Sequence, residues 1–216
     1  MQLRLQRVLQ RSYTGRPNII VFTGAFHGRT TLTMTMTAKK AYAVGMGPFP
    51  DGVYRAQFPY LYRKPEGMTD KEYMDECVKS VYDVFENCSP AEYVAAIVME
   101  PLQGEGGFIP APIEFVKAVR KICDEKGILL IADEVRTGKL FASEYWKENG
   151  CAPDIIATAK SIAGGVPLSA VIASKEVMDA VPGGTIGGTY GGNALACAAG
   201  LEVLKLMDEG GLVKRS

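Results

Sequence analysis

The sequence predicts an α/β domain: a mostly parallel sheet lying between layers of helix. Three observations predict it. Short apolar runs alternate with longer stretches of helical periodicity. The run Ile128-Leu-Leu-Ile-Ala ends in two carboxylates, Asp133 and Glu134. The run Ile155-Ile-Ala-Thr158 leads into Lys160-Ser161 and then Gly164-Gly165. A buried parallel strand that ends in polar residues delivers them to the carboxyl edge of its sheet, where open α/β sheets bind ligands.

The elements follow in order. Leu5, Val8 and Leu9 lie at helical spacing in a basic segment free of acids, ahead of Arg16-Pro17. The same basic, amphipathic character also fits a weak transit-peptide pattern. Asn18 to Phe22 is rich in β-branched residues and reads as a strand, and Thr30 to Thr37 as a helix. Ala43 to Lys64, dense in Gly, Pro and aromatics, reads as an irregular loop holding a short strand near Val53 to Ala56. Thr69 to Asn87 puts Tyr73, Cys77, Val81 and Val84 on one helical face, with Thr69 and Asp70 as candidate caps. Val94 to Met99 reads as a buried strand. Pro112 to Lys126 reads as a helix stopped by Gly127. Strands are expected at Ile128 to Ala132, Ile155 to Thr158 and Leu168 to Ala173, and a closing helix at Asn193 to Asp208. No internal repeat or low-complexity segment interrupts the pattern.

Composition narrows the function classes. The chain has 216 residues, 47% hydrophobic and 22% charged, with formal net charge +0. That suits one globular domain with a real core. It offers no electrostatic footprint for nucleic acid or for a membrane surface. No apolar stretch is long enough to span a bilayer. The five cysteines are scattered, none in a Cys-x-x-Cys pair, and there is one histidine. This argues against a zinc site and for reduced thiols in a cytoplasmic enzyme.

The residues at the expected sheet edge point to one chemistry. A lysine and an acid around a single ring are what pyridoxal 5'-phosphate requires. The amine forms a Schiff base, and the carboxylate keeps the pyridine nitrogen protonated so the ring accepts electrons. On spacing alone, a strand ending in Asp-Glu and an ordinary surface lysine explain Asp133 and Lys160 equally well.

Other motifs decide between these readings. Phe22-Thr-Gly-Ala-Phe26-His27-Gly28-Arg29-Thr30, Val98-Met-Glu100-Pro101-Leu-Gln103-Gly104-Glu105-Gly106-Gly107 and Gly187-Gly188-Thr189-Tyr190-Gly191-Gly192-Asn193 occur in order around the two opening segments. From about Tyr13 onward the chain resembles the class III aminotransferases of fold type I, above all those acting on 4-aminobutyrate. The resemblance implies the fold type I large domain and pyridoxal phosphate as cofactor. It further implies amino acid and 2-oxo acid substrates, and a homodimer or larger assembly with a shared active site. It makes Lys160 the Schiff-base lysine and proton shuttle and Asp133 the partner of the pyridinium nitrogen. Val135 would pack on one ring face, Phe26 on the other, with His27 at the rim. Arg29 resembles the arginine that holds the substrate carboxylate. Glu100 matches an acid near the cofactor, and Glu105 a gating acid whose arginine partner lies in a C-terminal domain. Thr189 matches the threonine that reaches the partner subunit's cofactor phosphate.

Departures from the family pattern shape the functional expectation. The relatives' phosphate-binding turn of the Ser-Gly-x-Glu-Ala type is not among these residues. Val135 runs directly into Arg136-Thr137-Gly138-Lys139, without the glutamine and the glycine-aromatic loop expected there. Residues 1–216 are therefore expected to form an incomplete large domain, with the N-terminal segment and the C-terminal small domain absent. The favoured activity is transfer of the amino group of an ω-amino acid, 4-aminobutyrate first, to 2-oxoglutarate. The alternatives are a catalytically inactive relic and an acetylornithine or ornithine aminotransferase.

Overall fold

The computed structural model describes residues 10–134, 142–185, 187–209 and 211. Residues 10–14 are helical and lead into β1 (Asn18–Phe22). There follow α1 (Thr31–Met36), β2 (Val53–Ala56), α2 (Asp70–Asn87), β3 (Val94–Met99), β4 (Leu102–Gln103), β5 (Ile109–Pro110), α3 (Ile113–Lys126), β6 (Leu129–Asp133), α4 (Ser143–Glu148), β7 (Ile155–Thr158), β8 (Ala170–Ala173), α5 (Lys175–Asp179) and α6 (Ala194–Asp208). Short 3₁₀ turns form at Lys40–Tyr42, Leu61–Arg63, Ala91–Tyr93 and Lys160–Ala163.

Six strands form one sheet in the order β2-β1-β3-β6-β7-β8. Every pairing is parallel except β7 with the edge strand β8, which is antiparallel. Side chains alternate across it with a period of two. Ile20, Phe22, Ile97, Met99 and Leu130 face α2 and α3, meeting Cys77, Val81, Phe115, Val119 and Ile122. Ile19, Val21, Ala96, Val98, Ile131 and Ile155 face the other side with Met36 and Val177. Both faces are covered, which is why the central strands read as continuous apolar runs. Phe22, Phe58 and Phe115 meet edge to face with centroids 5.5 to 6.2 Å apart.

The long helices start and stop where local chemistry tells them to. At α2 the Thr69 hydroxyl accepts from Glu72 N–H, and the Glu72 carboxylate accepts from Thr69 N–H, a reciprocal capping box. At α3 Gly127 ends the helix with φ of 61°, a left-handed conformation that costs glycine nothing. The Arg16 guanidinium donates to the carbonyl of Lys126 at that end and to that of Val94 on β3.

The structure shifts some expected boundaries. Asp133 is the last residue of β6 rather than the first after it, and β8 begins at Ala170 rather than Leu168. The pair β4–β5 and the helices α4 and α5 are two to six residues long. That is too short for periodicity to reveal. The expected N-terminal helical positions Leu5, Val8 and Leu9, and Val135 with the shortened stretch after it, lie outside the described residues.

This topology sets the site. The parallel strands β1, β3, β6 and β7 all end at one edge, so the loops beginning at Thr23, Glu100, Glu134 and Ala159 converge there. The chain passes from β1 outward to β2, then returns to the other side of β1 as β3. Such a reversal of strand order opens a crevice at the carboxyl ends of the two strands.

Candidate active site

The loop after β1 carries Phe26, His27 and Arg29, and it is tied down from both sides. Phe26 N–H donates to Glu100 Oε2 at 2.9 Å, and Gly104 N–H donates to Glu100 Oε1 at 3.3 Å. Gln103 Nε2 donates to the carbonyl of Thr23 at 2.8 Å. From the other side, Thr37 Oγ1 accepts from His27 N–H and donates to the Gly28 carbonyl, each at 3.0 Å. The Arg55 guanidinium then donates to the carbonyls of Thr35, Met36 and Thr37 at the end of α1. Burial lowers the pKa of Arg55, and the negative end of the helix supplies the compensating field.

Glu100 is 5% exposed. Burial raises its carboxyl above the usual range, opposed by His27 and by the Phe26 N–H, with Asp133 adding to the rise. The acid thus pins two loops of the crevice through backbone N–H groups.

His27 and Asp133 meet at the edge. His27 Nδ1 and Asp133 Oδ2 are 2.8 Å apart, and both side chains are buried. The other heteroatom of each group, His27 Nε2 and Asp133 Oδ1, is buried without a hydrogen-bond partner among the described residues. Burying a polar atom unpaired costs about 1–3 kcal/mol. Two such atoms on one dyad are a reason to look for an external partner. Glu134 turns away from the dyad: its carboxylate accepts from the N–H groups of Ala142 and Ser143, at 3.1 and 2.5 Å, at the start of α4. Its position after Asp133 gave no hint of that capping role.

Lys160 follows β7, the strand paired with β6, in the register Asp133 to Ala157. Its backbone has φ of 54°, a left-handed conformation that is costly for a residue with a side chain. Such strain concentrates at functional sites. Thr189 is exposed in the turn before α6, where Gly191 N–H closes onto the Gly188 carbonyl at 2.9 Å. Val135 lies outside the described residues.

Arg29 and Glu105 are joined through a residue that sequence reasoning missed. The Arg29 guanidinium lies 4.1 Å from the centroid of the Tyr42 ring, and the Tyr42 hydroxyl donates to Glu105 Oε2 at 3.2 Å. The Phe26 ring packs edge to face on the same tyrosine at 5.5 Å. Tyr42 sits just before the segment read as irregular loop, where no periodicity marks a single aromatic.

The family model for Aminotransferase class-III matches residues 1–216. The chain belongs to the class III aminotransferases. A probable 4-aminobutyrate aminotransferase of Bacillus subtilis (strain 168) is 47% identical, over 96% of this chain and 48% of its own length. A 5-aminovalerate aminotransferase of Pseudomonas putida is 46% identical over the same shares. Among solved structures, a thermostable (S)-enantioselective omega-transaminase from Thermomicrobium roseum superposes with a TM-score of 0.88. It is 33% identical, over 98% of this chain and 50% of that one. A taurine:2-oxoglutarate aminotransferase from Bifidobacterium kashiwanohense, in complex with pyridoxal phosphate and glutamate, has a TM-score of 0.85 at 30% identity, over 97% of this chain and 48% of that one. The class III chain described here thus spans about half the length of the curated relatives it matches. Membership of that family implies pyridoxal phosphate as cofactor. Among the described residues no helix is long and apolar enough to cross a membrane.

Proposed function

We propose that this chain is the pyridoxal phosphate-binding large domain of a transaminase acting on a short, straight-chain ω-amino acid, with 4-aminobutyrate favoured and 2-oxoglutarate as amino acceptor. The observation that supports it most is the orphaned Asp133 Oδ1, buried beside the His27 contact and one strand from Lys160. An unpaired buried carboxylate oxygen fits a protonated pyridine nitrogen, which needs an anionic acceptor out of water. The cofactor, when bound, supplies the electron sink that lets an amino group pass between carbon atoms.

The chain's own residues divide the remaining work. Asp133 accepts the ring N–H, and His27 holds the second carboxylate oxygen so that the first stays aimed. Phe26 offers one apolar face to the ring, and Val135 the other. Lys160 supplies the anchoring amine and carries the proton to and from the substrate carbon. Arg29 receives the substrate carboxylate through paired N–H donors. Glu100 orders the crevice, and Glu105 gates it. Thr189, with the glycine N–H groups around it, suits a phosphate of a second subunit. This makes a homodimer with shared active sites the working unit. Leu195, Leu201 and Leu206 of α6 are 55 to 71% exposed, and a helix apolar on several sides is usually covered. Five free cysteines fit a cytoplasmic location.

The test is covalent. Borohydride reduction of the chain incubated with pyridoxal phosphate is expected to fix the cofactor to the peptide containing Lys160. Label on another lysine, or label kept in Lys160→Ala, removes the proposal.

A further inference from the structure

Tyr42 is the last residue of the 3₁₀ turn Lys40–Tyr42 and is half-buried. One side chain there touches three of the residues given roles above. Its face carries the Arg29 guanidinium at 4.1 Å, its edge meets Phe26 at 5.5 Å and 74°, and its hydroxyl donates to Glu105 at 3.2 Å. Lys39 completes the group, with Nζ 3.7 Å from Glu105 Oε2 and 5.2 Å from the Tyr42 centroid.

A guanidinium lying over an aromatic face keeps its N–H edges free, because the attraction uses the flat of the group and hydrogen bonding uses its rim. Among the described residues Arg29 has no carboxylate or carbonyl partner on that rim. Glu105 belongs to the same cluster through the Tyr42 hydroxyl. A carboxylate that paired with Arg29 would cancel the charge a substrate must find. Glu105 is instead occupied by the Tyr42 hydroxyl and by Lys39. We infer that Tyr42 is a specificity-determining positioning residue: its ring presents Arg29 to a substrate carboxylate while its hydroxyl holds Glu105 off that arginine. The inference rests on the proposed role of Arg29 and extends it to the residue that packs against that arginine.

Glutarate, a five-carbon dicarboxylate with no amine to react, is the probe. It is titrated by calorimetry into the chain with and without pyridoxal phosphate, beside an absorbance titration of the cofactor itself. Tyr42→Leu removes both functions and is expected to weaken glutarate binding about five- to thirtyfold, the range of a partly desolvated cation–π contact, while cofactor affinity stays within about twofold. Tyr42→Phe keeps the ring and removes the hydroxyl that binds Glu105. It should weaken glutarate severalfold, and adding Glu105→Gln should restore the affinity. A purely structural tyrosine would give a loss that Glu105→Gln does not repair. Arg29→Ala should abolish binding in every background. Circular dichroism checks that each variant is folded, and Tyr42→Phe carries the test if Tyr42→Leu is not. Equal glutarate affinity in wild type and Tyr42→Phe, or no rescue, overturns the inference. A chain that takes up no cofactor overturns the functional proposal instead, while the glutarate series still reads out Tyr42.

Discussion

Glu100 shows how much of this site is decided by single side chains. Two backbone N–H groups and burial hold it between the loops after β1 and β3. A carboxyl whose folded-state pKa is raised binds its proton more tightly in the fold than in the unfolded chain. Its contribution to stability is therefore complete below the ordinary carboxylate range, and it is lost as pH rises through the raised value. Glu100→Gln should flatten that part of the stability profile. An amide has only one acceptor oxygen, so one of the two N–H groups is left unpaired, at about 1–3 kcal/mol. Thermal melts of both proteins from acidic to neutral pH check this, and parallel profiles would exclude the assignment. Burial acts in the same direction on two thiols: it pushes Cys77 up to about 11 and Cys123 up to about 12, which makes them inert packing residues.

At the scale of elements, the crevice depends on close backbone approach. Gly24, with φ of +76°, lies so near Gln103 that an added Cβ would sit 2.6 Å from its Oε1. Gly106 approaches the same oxygen equally closely. The 2% exposed Gln103 is therefore clamped between the two loops. Gly24→Ala meets both the steric clash and the left-handed backbone, so it is expected to cost about 1–3 kcal/mol. It should also loosen the Thr23 to Gln103 contact that joins the loops. Chemical denaturation measures the first effect, and weaker cofactor uptake the second. Stability equal to wild type would show that the loops adjust freely.

For the whole molecule the expectation concerns turnover. Transaminase chemistry needs the ring and the substrate carboxylate fixed within a fraction of an ångström. By the family resemblance, a phosphate turn, a ring-contacting glutamine and a C-terminal domain share that task, and the chain spans about half the length of the relatives it matches. Removing one preorganised anchor costs roughly 10²- to 10³-fold in rate. The chain by itself should therefore turn over 4-aminobutyrate and 2-oxoglutarate at well under about one per second, even when it binds cofactor. Glutamate production followed in a coupled assay decides it. A rate typical of complete enzymes would show that this half of the fold positions both substrates unaided.

The sequence by itself determined the layered α/β architecture and the edge where chemistry gathers. Strands buried on both faces must be apolar throughout, as Val94 to Met99 and Ile128 to Ala132 are, and the helices between them must show a period near 3.6. A cap at Thr69 or Asp70 and the stop at Gly127 were legible because both act through neighbours in sequence. The contact of His27 with Asp133 was not, since 106 residues separate the two. Only the parallel register of β1, β3 and β6 brings them together. Tyr42 was likewise invisible, because an aromatic in a turn has no periodic signature until folding stacks Arg29 on its face. Strand alternation alone points Glu134 away from Asp133, but that its carboxylate accepts from the N–H groups of Ala142 and Ser143 is settled only by the fold. Local rules write elements into the chain, but which side chains share a crevice is set by strand order, a property of the assembled sheet alone.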